Sequence, residues 1–173
     1  MTEEICVGCK VVLPAITGAT HRYMESSPSC WAAFNQLSDP NFQLEPSGYN
    51  TLIVDTYAAQ HPGVPSNQTI NSVAIHLMVL HGIFEHQFQP SQALWLRMRP
   101  GRPSKIPKHN RFFWLEPPSF DASLTVSDVI AGTTSKERTR LVQAWSREVW
   151  DHWSMHHSQV ATWFEKYVFS ERF

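Results

Sequence analysis

No stretch of the sequence reaches the roughly 20 consecutive apolar residues that cross a bilayer. The first residues, Met1-Thr-Glu-Glu-Ile-Cys6, have neither a basic start nor an apolar signal core. A cytoplasmic protein without a membrane partner is expected. An excess of charge is missing too: 14 Lys+Arg stand against 15 Asp+Glu, a formal net charge of −1, and neither sign forms a long run. The broad basic footprint of a nucleic-acid binder is therefore absent, and no nucleic-acid partner is expected. There is no phosphate-cradling glycine loop, dinucleotide fingerprint or nucleophile elbow, which argues against nucleotide hydrolysis and hydride transfer. Internal repeats, heptad seams and low-complexity tracts are also lacking. Cysteine is scarce: there are three, and two of them lie three positions apart. That is a poor disulfide framework, and in a reducing compartment such spacing points to metal or redox chemistry.

Aromatic and histidine residues are what the chain has in plenty, with 7 Trp, 10 Phe and 9 His among 173 residues. An aromatic core follows, with histidines in or beside it. The length suits a single domain, residues 1–173, able to bury a core without disulfide staples. Within it, residues 1–26 carry Gly8, Pro14 and Gly18 with short β-prone runs such as Val11-Val12-Leu13. They read as a loop-rich, metal-binding cap with a small β-hairpin, and residues 27–173 as a helical body, so the fold class is mainly α.

The body divides by its punctuation. Ser27-Pro28 reads as a cap followed by proline at the first helical position, opening a helix that stops near Asp39-Pro40 and carries Cys30 in its first turn. Leu52 to Gln60 predicts a short helix, ended because His61 precedes Pro62-Gly63. From about Gln68 to Gln87, Val73, Leu77, Leu80 and Phe84 recur at three and four residues, and His76 shares that stripe. Ser91 to Arg99 suggests another short helix, Pro100 to Pro107 a basic loop, and Phe112 to Leu115 a strand or buried extended segment. Thr125-x-x-Asp128 starts a helical turn closed by Gly132. Thr134-x-x-Glu137 reads as a capping box for one long helix over 135–169, with the stripe Val142, Trp145, Val149, Trp153, His156, Val160, Trp163, Tyr167. That helix is expected to be the spine of the fold.

Zinc takes thiolate and imidazole ligands in tetrahedral geometry, and a two-residue gap lets two cysteines meet one ion, with Gly8 easing the turn. The series Cys6-x2-Cys9-x11-His21-x8-Cys30 supplies four ligands in zinc-like order, the last at a helix N-terminus whose dipole favours a thiolate. Zinc is the expected cofactor, with other transition metals as alternatives. His61, His156 or His157 folding back onto the Cys pair would instead leave a position for water and make a catalytic site. A separate possibility joins His152 and His156, four apart on a helix, with His76 from another helix, an arrangement that resembles the metal site of the DinB-like helical bundles. Asp55 precedes His61 on the same short helix and is suited to fixing a histidine tautomer.

The segments Cys6-Val-Gly-Cys9, Thr20-His21-Arg-Tyr23-Met, Ser27-Pro-Ser-Cys30-Trp31, Val54 to Gly63, Ser72-Val-Ala-Ile-His76-Leu77 and Trp153-Ser-Met-His156-His157 together resemble an uncharacterised bacterial family catalogued as a domain of unknown function. The resemblance spans nearly the whole chain. It implies no activity, only that Cys6, Cys9, His21, Cys30, Asp55, His61, His76, His156 and His157 fall in recurring segments, whereas His152 does not.

Two readings of function follow. In the leading one the protein is a metal-dependent enzyme, of hydrolase, lyase or isomerase type, acting on a small organic substrate. His61, His76, His156 and His157 then serve as ligands or proton-transfer groups and Asp55 as their support, since histidine titrates near neutral pH. In the other, zinc pins the cap of a non-catalytic module that binds a protein or small ligand. Trp-rich surfaces are equally suited to a homo-oligomer interface.

Overall fold

The computed structural model describes residues 2–39, 41–45, 48–101 and 111–169. The N-terminal segment folds as the expected hairpin: β1 (Glu3–Ile5) pairs antiparallel with β2 (Val12–Pro14), in the register Glu3 to Pro14, Glu4 to Leu13 and Ile5 to Val12. All other regular structure among the described residues is helical. The chain is a mainly α protein with one small hairpin at its start.

Local sequence rules set most helix starts. At α1 (Pro28–Leu37) the Ser27 hydroxyl accepts from the Cys30 amide, and Pro28 occupies the first position, where its missing N–H costs nothing. Before α3 (Asn67–Glu85), Ser66 and Thr69 satisfy each other's backbone amides reciprocally. Thr125 and Asp128 do the same for the short α5 (Val126–Ala131). Thr134 caps α6 (Ser135–His152) by accepting from the Glu137 amide, but the Glu137 carboxylate reaches back to the Thr133 amide, one residue before the predicted partner. α4 (Ala93–Met98) is flanked by 3-10 turns. The Phe112 to Leu115 run forms no strand: it has no regular structure, with Phe112 and Leu115 buried and Phe113 exposed. The basic loop expected over Pro100 to Pro107 lies, from residue 102 on, outside the described residues.

The expected spine is corrected in two ways. First, the helix predicted over 135–169 is broken: α6 ends at His152, a 3-10 turn spans Trp153–His156, and α7 (His157–Phe164) follows, with a π-helical turn over Glu165–Phe169. The break lets α6 pack on α2 (Tyr49–Gln60) while α7 packs on α3. Trp153 anchors it, wholly buried and donating from its indole to the Ala59 carbonyl at 3.0 Å.

Second, the centre of the molecule is the short α2. Eight of its residues, from Leu52 to Gln60, are buried, and past Asn50 the helix has no exposed residue. A helix buried all round must satisfy its own polar side chains. Thr56 bonds Ser146 of α6 at 2.6 Å, and Gln60 accepts from the Trp145 indole at 3.0 Å while donating to the Leu124 carbonyl at 2.8 Å. This central position carries Asp55 and Tyr57 into the interior and delivers His61, just past the last turn, to the hairpin.

Candidate metal centre

Cys6 follows β1, and the chain reverses through Val7, Gly8, Cys9 and Lys10. The Cys6 amide donates to the Val11 carbonyl at 2.9 Å and the Lys10 amide to the Cys6 carbonyl at 3.0 Å. The left-handed residue of this turn is Lys10, with φ 63°, not Gly8. Gly8 is there for a different reason: a Cβ on it would lie 2.5 Å from Cδ2 of His61 and 2.7 Å from the Glu25 carbonyl oxygen. The turn can approach the histidine only because it carries no side chain at that point.

Two further elements converge on the turn. Cys30 sits in the first turn of α1, which the hairpin grips directly: Glu4 accepts from the Ser29 amide at 2.9 Å and the Ser29 hydroxyl donates to the Pro14 carbonyl. That contact holds the Glu4 carboxyl below its ordinary range. His61 comes from the end of α2, its ring stacked on Tyr57 with centroids 3.9 Å apart. The one-atom donors of Cys6, Cys9, Cys30 and His61 all lie within 4.8 Å of one another, forming a group that could hold a metal ion. Cys9 Sγ and Cys30 Sγ are 3.7 Å apart, and Cys30 Sγ lies 3.4 Å from His61 Nε2. His61 Nδ1 is 2.8 Å from the Tyr57 carbonyl oxygen. A carbonyl only accepts, so Nδ1 carries the hydrogen and Nε2 turns its lone pair to the sulfurs. Exposure of the four residues is 0–2%.

Three thiols packed this closely cannot all ionise unaided. Cys6 is held far below the ordinary thiol range by hydrogen bonds from Cys30 and then Cys9. Cys30 is driven far up by the bonds it donates to Cys6 and Cys9 and by burial. Cys9 is favoured as thiolate by a bond from Cys30, but its own bond to Cys6 and its burial outweigh this and push it up to about 12. One shared negative charge is what these groups support alone; a cation among them would let every thiol ionise.

The set expected from spacing, Cys6, Cys9, His21 and Cys30, is thus not the set brought together. His21 Nδ1 accepts from the amides of Met24 at 3.2 Å and Tyr23 at 3.4 Å, closing its own loop, and the ring packs on Tyr23 and Trp31. Its place is taken by His61, 31 residues beyond Cys30.

The other candidate histidines stand elsewhere. His76 Nδ1 bonds Asp55 at 2.7 Å in a second cluster that includes Arg97. His156 Nε2 donates to the Glu116 carbonyl, and His157 stacks on Trp150 with ring centroids 3.7 Å apart while bonding its carbonyl. His152 bonds Ser123. His76, His152 and His156 are not gathered at one point, because the 3-10 turn ends the helix between the last two and destroys their four-residue face. Arg97 was not anticipated: it lies 42 residues from Asp55 on a six-residue helix, and nothing in its local pattern announces a buried carboxylate partner.

No curated protein and no solved structure shows a significant match to the chain. A family model does match, over residues 4–154, and that span takes in all four residues of the Cys/His group as well as Asp55, His76 and Arg97. On that match the chain belongs to DUF5946, a family of unknown function.

Proposed function

We propose that the protein is a zinc-stabilised helical module in which Cys6, Cys9, Cys30 and His61 hold one ion in a closed site, and that the ion's work is structural. The observation that carries this reading is the burial of four protein donors around one point, each 0–2% exposed. Zinc bonds of about 2.3 Å to sulfur and 2.0–2.1 Å to nitrogen, at tetrahedral angles, put two sulfurs about 3.8 Å apart and a sulfur about 3.6 Å from the imidazole nitrogen. The separations of 3.7 Å and 3.4 Å fit that cage. Three soft thiolates and one imidazole select zinc over magnesium or calcium. Four protein ligands leave no position for water or substrate, so Lewis-acid catalysis, which the metal-dependent enzyme reading needs, is disfavoured at this ion.

The ligands come from the hairpin turn, the start of α1 and the end of α2, so the ion ties the cap to the central helix. The Tyr57 carbonyl fixes the His61 ring from behind, and the Tyr57 hydroxyl, 3.6 Å from Cys30 Sγ, donates to that sulfur. X-ray absorption at the zinc edge, together with elemental analysis, tests the reading. About one zinc per chain with three sulfur and one nitrogen neighbour is expected. An oxygen neighbour in the first shell, or protein free of transition metal, overturns it.

A further inference from the structure

Asp55 is 0% exposed in the middle of α2, where an ionised carboxylate needs full compensation. It has it from Arg97, which bonds Oδ2 through Nη2 at 2.7 Å and Oδ1 through Nε at 3.1 Å, while Nη2 also donates to the Thr51 carbonyl. The charge of Asp55 is matched without His76, yet His76 Nδ1 lies 2.7 Å from Oδ1. An ionised carboxylate can only accept, so Nδ1 carries the hydrogen, which in a neutral ring places the lone pair on Nε2.

That nitrogen has somewhere to act. His76 lines a cavity of about 330 Å³ together with Tyr23, Gln68, Ser72 and Arg97. Tyr23 and Gln68 also line a neighbouring cavity of about 370 Å³ that contains His21 and Arg22. Nε2 of His76 makes no hydrogen bond to any described residue, and the side chain keeps 13% of its surface open. Arg22 stands with Glu25 in the second cavity, and beside His76 the charge of Arg97 is matched by Asp55, but its Nη1 makes no hydrogen bond to a described residue and is left to donate to an anion.

We propose that His76 is a proton-accepting catalytic residue in this cleft, positioned by Asp55, and that its substrate is a small molecule carrying a carboxylate or phosphate group. In the step assigned to it, the Nε2 lone pair takes a proton from an acidic C–H or O–H of the substrate. The electron pair of the broken bond stays on the substrate, and the imidazolium formed is stabilised by the Asp55 carboxylate across Nδ1–H. The proton returns from Nε2 to product, so no oxidant or second reactant is required. The site shares no side chain with the cysteine cluster, and its failure would leave the zinc reading intact.

The zinc-loaded full chain provides the test. Long-range nitrogen–proton NMR on 15N-histidine protein at neutral pH is expected to show His76 as the Nδ1–H tautomer, with Nε2 unprotonated. Diethyl pyrocarbonate, which acylates an imidazole lone pair, is expected to modify His76 at least 5-fold faster than His152, whose Nδ1–H bonds the Glu148 carbonyl and whose Nε2 lone pair is taken by the Ser123 hydroxyl. In Asp55→Asn that excess should vanish. Titration with inorganic phosphate, and separately with acetate, should shift the His76 and His21 resonances and slow the acylation. An Nε2–H tautomer in the wild-type protein, or no excess reactivity, overturns the proton-accepting role even if Asp55→Asn fails to fold. Absence of any shift with either anion at millimolar concentration overturns the substrate class.

Discussion

The hydrogen of Gly8 points at the ring of His61 so closely that a methyl group there would stand 2.5 Å from Cδ2. The Glu25 carbonyl oxygen closes the other side at 2.7 Å. Neither neighbour is free to yield, since the His61 ring is pinned to the Tyr57 carbonyl and stacked on the Tyr57 ring.

Gly8→Ala is therefore expected to destabilise the protein by about 2–3 kcal/mol, the cost of forcing an extra methyl into a filled space. It should also lower zinc retention, because the group displaced is a ligand. Urea unfolding with parallel metal analysis measures both, and an unchanged midpoint with full zinc content would contradict the packing described here.

Histidine replacement separates the two possible fourth ligands. His61→Ala should abolish stoichiometric zinc binding, whereas His21→Ala should retain about one zinc per chain and lose only a loop cap worth about 1 kcal/mol. The reverse result would restore the ligand set suggested by spacing.

Chelation should act locally at first. The hairpin has few apolar anchors of its own, and Ile5 and Val12 are exposed. Without the ion it rests on Glu4, Ser29 and the strand pairing. Amide exchange over residues 2–30 is expected to accelerate in chelator while α6 keeps its protection. Uniform acceleration through α6 would mean that the metal supports the whole core.

Arg97→Met leaves the Asp55 carboxylate buried beside an uncharged neighbour. A loss of about 3 kcal/mol is expected, toward the low end for a broken buried pair because Arg97 reaches solvent. Arg97→Lys should recover only part of this, since an ammonium cannot make both bonds to the carboxylate. Thermal or urea unfolding of the two variants decides; equal stability of Met and wild type would show that the pair is idle.

Acid should weaken the fold through His81. This side chain is 6% exposed, its Nδ1 has no partner among the described residues, and its Nε2 is 3.2 Å from that of His86. Burial, then the neighbouring His86, lowers its pKa to about 4. The unfolded chain, with an ordinary value near 6.5, binds the proton more readily, so this contribution is complete above about pH 6.5 and is lost as pH falls toward 4. A shift of this size bounds the effect at about 3 kcal/mol. The stability of wild type relative to His81→Leu, followed by urea unfolding from pH 7 to 4.5, should fall by up to that amount; a constant difference would show that His81 is free to protonate in the folded state.

Much of the helical content was legible because it is written locally. Ser27-Pro28, Thr125 and Thr134 cap helices by bonds spanning three residues or fewer, and a stripe such as Val142, Trp145 and Val149 needs only helical periodicity to be seen. The division of the last helix was not legible. Its stripe continues through Trp153 to Val160, and the turn there depends on an indole bond to Ala59, 94 residues away. The central role of α2 was hidden for a related reason: a helix buried on every side shows no amphipathic stripe to read.

By itself the sequence determined the class of the protein and the chemistry available to it. Short-range caps and periodicity specify helices, and Cys6-x2-Cys9 specifies a pair of thiols on one tight turn, since such relations are settled within a few residues of backbone. The tertiary structure decided which groups meet. His21 and His61 are both imidazoles flanking Cys30 in sequence, and spacing favours the nearer. The ring of His21 is spent on the amides of its own loop, while α2, held in the core by Trp145, Ser146 and Trp153, delivers His61 to the three sulfurs. Asp55 acquires His76 and Arg97 in the same way, from two helices that come together only when the core closes.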